Sequence, residues 1–450
     1  MTPTTPRFTT LALLLVMLLA LPASAFTFAT ATATLRQYPE HGHLASNGEI
    51  GEYVLLPSAG QYHIDVAAAG MPMGGVWPEM ALRVNGISYA TQTVDHSDYQ
   101  THRFTRWFEA GVHRIGVAFT NDGYGGGEDR NLLTTAITVT AASGGGTPSL
   151  GTEAQWVVDM DAREQDIIAA TADEIAALRM GPAEVRVTDA QGNPLDGAQV
   201  EVELTNHHFR FGANLFMFDQ FGSKQQNDTY KAKFAELFNF ATVPFYWAFL
   251  EPVEGQPDYA LTDAMAQWCD ANGIAMKGHA VLYGDEQMIP DWADGAPSTA
   301  EQLAHMEEVL ARYPQIDTWD LVNEPFNAPG MDWAAAYRRA DALRPADNLV
   351  INSYGQFYNG WTVFYANAHQ EFHAWLDQEV LGAGVPFDTV GIQAHAPLDT
   401  AFPLELVQAH IDHYAALGKR IHLTEFMPTS SGAPVQGAPW RSTWTEAEQA

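Results

Sequence analysis

Trp319-Asp-Leu-Val-Asn-Glu-Pro325 is an apolar strand that ends on an amide and a carboxylate and is stopped by proline. A run of this kind is buried along its length and presents its polar residues only at its C-terminal end. Six other segments share the pattern: Phe211–Asn214, Phe240–Val243, Ala275–His279, Asn348–Asn352, Thr389–Gln393 and Ile421–Glu425. Helical periodicity separates them over Leu261–Ala271, Thr299–Arg312 and Leu404–Leu417. Strands alternating with helices predict a parallel (β/α)8 TIM-type barrel over residues 207–450, with its chemistry at the C-terminal rim of the strands. No segment reads as an eighth strand before Ala450. The expectation is a barrel whose eighth strand is missing from this chain, or one that closes in another way.

Two strands end on glutamate, the fourth on Glu324 and the seventh on Glu425. In a barrel these strands face each other across the mouth. Paired carboxylates are what glycoside hydrolysis needs, one protonated to donate to the leaving oxygen and one ionised to attack the anomeric carbon. A single strand-end glutamate is more often a surface ion pair, but two on buried-type strands favour catalysis.

Residues 26–142 have another texture: short alternating strands such as Gly51–Leu56, Tyr62–Val66 and Ala81–Val84, punctuated by glycine. They predict an all-β sandwich, so the chain is multidomain. Ser143-Gly-Gly-Gly-Thr-Pro-Ser149 is expected to be a flexible linker. Residues 150–206 read as a lead-in, a helix over Asp159–Leu178 and then a β-hairpin from Glu184–Thr188 to Gln199–Leu204. At the start, Arg7, the apolar run Leu11–Leu21 and Ala23-Ser-Ala25 have the form of a secretory signal peptide over residues 1–25, so the protein is expected to be secreted. Eleven apolar residues are too few to span the roughly 30 Å core of a bilayer.

Composition narrows the partners. The 450 residues carry 22 Lys and Arg against 54 Asp and Glu, a net charge of −32. Such a surface repels phosphate backbones and anionic headgroups, so neither nucleic acid nor membrane is an expected partner. The single cysteine, Cys269, excludes an intrachain disulfide and any Cys-built metal cage. The barrel shows no metal-ligand spacing, and no cofactor is expected for catalysis. A monomer is expected.

Six ordered motifs carry a resemblance: Phe211-Gly-Ala-Asn214; Trp247 with Glu251-Pro252 and Gly255-Gln256; Lys277-Gly-His279; Trp319 to Glu324; Gly391-Ile-Gln-Ala-His395; and Leu423-Thr-Glu425. From about Phe209 to Met427 the chain resembles glycoside hydrolase family 10, the retaining endo-β-1,4-xylanases. The resemblance implies xylan, or a related plant cell-wall β-glycan, as substrate. It implies Glu324 as acid/base, Glu425 as nucleophile, Asn323 as a donor to the sugar 2-hydroxyl, and His395 as a partner of the nucleophile. His279 and Gln393 would complete the polar lining, and Trp247, Tyr283 and Trp292 are candidate sugar-stacking platforms or, equally, core aromatics. The chain departs from the family where an Asn-Glu-Met-Lys-Trp run is usual: it has Val243-Pro-Phe-Tyr246-Trp247, and Tyr283-Gly284 stand where an aromatic and a second histidine are usual. That loss of hydrogen-bonding capacity beside the cleavage site keeps two alternatives open: hydrolysis of another β-glycan, or a non-catalytic polysaccharide-binding protein with an incomplete barrel.

Gly74-Gly-Val-Trp-Pro-Glu-Met80, Val84-Asn-Gly86, Gly111–Phe119 and Asn121–Leu132 form a second ordered set. They look like the calcium-dependent xylan-binding modules of carbohydrate-binding families 36 and 60. The glycine-rich loop between Asp122 and Glu128-Asp129 offers the oxygen donors that calcium prefers, so these three acids are the candidate metal ligands.

Overall fold

A computed structural model describes residues 25–30, 34–35, 42–204, 207–293, 297–328, 330–354, 368–394 and 401–449. Residues 1–24, most of the expected signal peptide, and His395 lie outside the described residues. The chain divides between Asp159 and Met160 into two compact units.

The N-terminal unit is a pair of antiparallel sheets. One runs in the order Ala25–Ala29, Glu128–Ser143, Gly60–Met71, Gln100–Phe108, with Gly123–Gly125 and His43–Leu44 also paired to Glu128–Ser143. The other runs Ser149–Leu150, Gly48–Leu56, Gly111–Phe119, Glu79–Val84, Ile87–Thr93, with Thr34–Leu35 beside Gly48–Leu56. Period-two alternation sends Tyr62, Ile64 and Val66 inward, where they join Ile115, Val117, Phe119, Ile137 and Val139 in one core.

The expected linker is instead built into this unit. Ser149–Leu150 pairs with Val54–Leu55, Gly146 N–H donates to the Tyr62 hydroxyl at 3.0 Å, and a Cβ on Gly145 would stand 2.6 Å from the Tyr62 ring. The glycines serve close packing on an aromatic ring rather than flexibility.

In the second unit seven strands lie parallel and in sequence order: Gly212–Asn214, Phe240–Pro244, Ala275–Tyr283, Thr318–Asn323, Asn348–Ser353, Thr389–Ile392 and Arg420–Leu423. Helices return the chain between them, which is the arrangement of a β/α barrel. Helix Thr299–Arg312 shows why they form. Ser298 and Glu301 close a capping box at its start, and Gln302, His305, Met306, Val309 and Leu310 make one buried face at helical spacing. The fourth and fifth strands are buried at every residue, as strands covered on both faces must be. Among the described residues the sheet has seven strands, and residues 426–449 supply none. There Val435, Ala438 and Trp444 pack on Ala401.

The lead-in differs from its reading. The helix is longer, Glu153–Arg179, and the expected hairpin over 184–204 is absent: only Thr188 and Pro194 form a bridge. Val185, Val200, Val202 and Leu204 are all exposed. Alternation gives this segment an apolar face, but among the described residues no sheet lies against that face to bury it, and two unsupported strands are at best marginal in water.

Candidate active site

The site grows from the ends of strands three to seven. Between His279 and Leu282 the third strand carries one residue more than the fourth, and this bulge brings Tyr283 level with Asn323. Glu324 follows directly in the left-handed conformation, at φ 49° and ψ 51°. A side chain other than glycine held there costs about 1–3 kcal/mol. Its N–H is tied to the Asn352 carbonyl at 3.1 Å, so neighbouring strands enforce the turn that aims the carboxylate.

Glu324 Oε1 accepts from Gln393 Nε2 at 2.9 Å, and Oε2 from the Tyr283 hydroxyl at 3.4 Å. Burial raises its pKa above the ordinary carboxylate value; Gln393 and Tyr283 oppose the rise, while the charges of Glu425 and Asp320 add to it. That is the environment of an acid kept protonated. Glu425 is half-buried, its N–H bonded to the Gln393 carbonyl. Its Oε1 accepts from Asn352 Nδ2 at 2.9 Å. Asn352 is fully buried and also donates to Asn323 Oδ1 at 3.3 Å, while its own Oδ1 accepts from the Thr424 hydroxyl at 2.5 Å. A Cβ on Gly391 would stand 3.0 Å from both Asn352 Cα and Oδ1, so glycine leaves the room in which this amide sits.

Asn352 and Gln393 thus place the two glutamates in one network with Asn323 and Tyr283. His279 lies beside it, its Nδ1 2.7 Å from Asp320 Oδ2, deep in the sheet. Tyr246 packs edge-on against His279, ring centroids 5.7 Å apart. Its phenol is driven far above the ordinary value by burial and then by Glu425, Asp320, Tyr283 and Glu324. Tyr283 is pushed up to about 12, mainly by burial and Glu324. Both phenols stay neutral donors at any working pH. Lys277 is buried beneath, its pKa lowered by burial against the pull of Asp320 and Glu425.

Trp247 is not a platform. It is 3% exposed, its face stacked on His305 at 4.5 Å and its Nε1 bonded to Glu251. Trp292 meets it edge-on at 5.7 Å and bonds the Glu251 carbonyl, leaving it half-buried. Among the described residues neither indole contacts the two glutamates. Tyr246, noted in the sequence as a departure from the family, lies at the site, and so do Asn352 and Asp320, which the sequence analysis does not single out. The available signal was a polar residue inside or at the end of an apolar strand, as in Leu349-Val-Ile-Asn352 and Trp319-Asp320-Leu.

In the N-terminal unit Gly123–Gly125 and Glu128–Arg130 form a tight hairpin. Asp122 is raised by burial and by the charge of Asp129, against the Gly123 N–H and Arg130, so those two carboxylates are near neighbours. Glu128 is turned away: its Oε2 accepts from Gly74 N–H at 2.7 Å. Among the described residues no three acidic, His or Cys side chains are spaced to hold a metal. Of the three expected acids the structure thus brings Asp122 and Asp129 together, while Glu128 has one oxygen on the Gly74 backbone. Two mutually repelling carboxylates beside glycine carbonyls still fit the donor chemistry of a hard cation.

Residues 203–432 match the family model of glycosyl hydrolase family 10, and residues 63–147 match that of the calcium-dependent, xylan-binding module CBM60. The chain is similar to endo-1,4-beta-xylanase A of Phanerodontia chrysosporium, 29% identical over 199 residues, which is 40% of this chain and 46% of that protein. It is also similar to endo-1,4-beta-xylanase C of Paenibacillus barcinonensis, 26% identical over 228 residues, 42% of this chain and 20% of that protein. A solved GH10 endoxylanase from a sugarcane soil metagenome is 21% identical with a TM-score of 0.40, covering 50% of this chain and 70% of that one. The chain spans less than half the length of either curated relative.

Proposed function

The chain belongs to glycosyl hydrolase family 10, and on that premise we propose that it cleaves internal β-1,4-xylosidic bonds of xylan with retention of configuration. The observation that carries the reading is the pairing of a half-buried Glu324, its pKa raised, with Glu425 through Asn352 and Gln393. Glu324 donates its proton to the leaving glycosidic oxygen while Glu425 attacks the anomeric carbon and forms a glycosyl ester. Esterification removes the charge on Glu425, one of the influences that raise Glu324. Glu324, already a carboxylate after its donation, is thereby favoured in that form and takes a proton from the water that releases the sugar, which restores both residues.

A second reading, hydrolysis of another β-glycan, draws on Tyr246. This neutral phenol stands beside both glutamates where the family usually has a lysine, and Val243 replaces an asparagine, so fewer hydroxyl-specific contacts discriminate between sugars.

The same proposal has the N-terminal module hold the enzyme on its polymer, which raises the local concentration of cleavable bonds. Asp122 and Asp129 would hold calcium there, and a bound calcium supplies open positions for vicinal sugar hydroxyls. Secretion is part of the proposal, resting on the apolar run Leu11–Leu21 before Ala23-Ser-Ala25.

The test is reducing-sugar release from xylan, mixed-linkage glucan, carboxymethylcellulose and mannan, by the protein and by Glu425→Ala. Release from xylan that vanishes in the variant is expected. Preference for another polymer would support the second reading. No release from any polymer by folded protein would refute both.

A further inference from the structure

Two histidines of the N-terminal unit meet through their outer ring nitrogens. His96 lies in the connection between strands Ile87–Thr93 and Gln100–Phe108, and His102 in the second of these strands. His96 Nε2 and His102 Nε2 are 2.9 Å apart, with the ring centroids 5.0 Å apart and the ring planes inclined by 24°, so the rings meet nearly end to end.

The inner nitrogens fix where the ring protons are. His96 Nδ1 is 2.7 Å from the Asp98 carbonyl oxygen, which can only accept, so this nitrogen carries the proton. His102 Nδ1 is 3.1 Å from Gln92 Oε1. The Gln92 amide cannot be reversed, because its Nε2 donates at 2.8 Å to the Arg103 carbonyl, which also only accepts. His102 therefore carries its proton on Nδ1 as well. A neutral imidazole has one ring proton, so both Nε2 atoms present lone pairs to the same point with no hydrogen between them. Facing lone pairs repel unless a cation lies between them.

A metal ion suits the arrangement. Metal-ligating histidines characteristically turn one nitrogen to the metal and donate the other N–H to a carbonyl or similar acceptor, which fixes tautomer and ring orientation. Imidazole nitrogens select zinc, copper or nickel rather than calcium. At a Zn–N length of about 2.0–2.1 Å, two tetrahedral ligand nitrogens stand about 3.3–3.4 Å apart, so the rings need to open by only about half an ångström.

We propose that His96 and His102 bind one divalent transition-metal ion of the zinc class through their Nε2 atoms. Both rings are half-buried, and no third acidic, His or Cys side chain among the described residues completes the set, so water fills the remaining positions. Gln92 lies in one sheet and His102 in the other. The ion would pin the chain where it crosses between them. Donor type separates this site from the carboxylate hairpin: nitrogen for the transition metal, oxygen for calcium.

Metal-stripped full-length protein, kept in calcium chloride to satisfy any oxygen site, is titrated with zinc chloride in a calorimeter. One equivalent is expected to bind and to be lost in His96→Gln and in His102→Gln. Gln92→Leu, which removes the outer partner, is expected to weaken binding about 10- to 100-fold. Metal-free melting curves of the variants establish that they fold. Absence of that equivalent, or its survival in both histidine variants, would overturn the proposal. So would a nitrogen–proton NMR signal showing Nε2–H on either ring of the metal-free protein at pH 7.5.

Discussion

Asn352→Ala separates two effects that pull in opposite directions. Asn352 donates to Glu425 Oε1 at 2.9 Å and is itself fixed by Thr424, Asn323 and the room left at Gly391. A hydrogen bond to a charged carboxylate contributes about 1.5–3 kcal/mol. In attack that charge is partly lost, so about half of the bond is lost with it. Removing the donor therefore makes the carboxylate more reactive by about 1 kcal/mol, roughly fivefold. Against this, a carboxylate freed to move by about 1 Å loses on the order of 100-fold. Orientation wins, and kcat on an aryl β-xylobioside is expected to fall about 20-fold with KM changed less than threefold. Asn352→Asp sets a second negative charge beside Glu425. Repulsion between the two carboxylates moves the acid limb of kcat/KM to higher pH, a shift that loss of packing alone does not produce. Gly391→Ala, whose Cβ crowds the same amide, should act in the direction of Asn352→Ala but less strongly. A folded Asn352→Ala enzyme with wild-type kcat would refute the positioning argument.

Gln393→Leu removes a donor that lowers the Glu324 pKa, leaving burial and Glu425 less opposed. The basic limb of kcat/KM should move to higher pH, and a limb that stays or moves down would contradict the assignment of acid. His422 is lowered to about 4 by burial and by Lys277, Arg210 and Arg420. Below the ordinary value of 6.5 the unfolded chain takes a proton that the folded one refuses. The stability is therefore fully present above about pH 6.5 and is lost as pH falls through 4, by about 3 kcal/mol. Denaturant melts at pH 7 and pH 4 should show the loss, and His422→Asn should reduce it. Chelation with EDTA, or Asp122→Asn, should weaken retention on xylan in affinity gels at least tenfold, while leaving turnover of a short soluble substrate within about twofold. Retention that survives chelation would sink the calcium reading.

Much of the second unit was legible because buried parallel strands have a plain signature. Thr318–Asn323 and Asn348–Ser353 are apolar runs with polar ends, and sequence reading bounded them to within a residue. The two glutamates were legible for the same reason, since each breaks an apolar strand at its rim. What stayed hidden depended on neighbours distant in the chain. Ser143–Ser149 has the composition of a linker, and only the Tyr62 ring turns its glycines into packing. Glu184–Leu204 alternates like a hairpin but has no sheet to lie on among the described residues. Trp247 could be platform or core until His305, on another helix, was seen to cover its face. Glu128 reads as a metal ligand beside Asp129, and only the Gly74 amide reveals where it goes. Asn352 was passed over because one amide at a strand end looks ordinary without the two carboxylates it sits between.

The most direct test of the account is to trap the glycosyl–enzyme. The protein is incubated with a 2-deoxy-2-fluoro β-xylobioside bearing a good leaving group, digested, and mapped by mass spectrometry. The account predicts time-dependent inactivation with one sugar on the peptide containing Glu425, and none in Glu425→Ala. A label on any other residue, or turnover of activated xylobiosides without a covalent species, would contradict it.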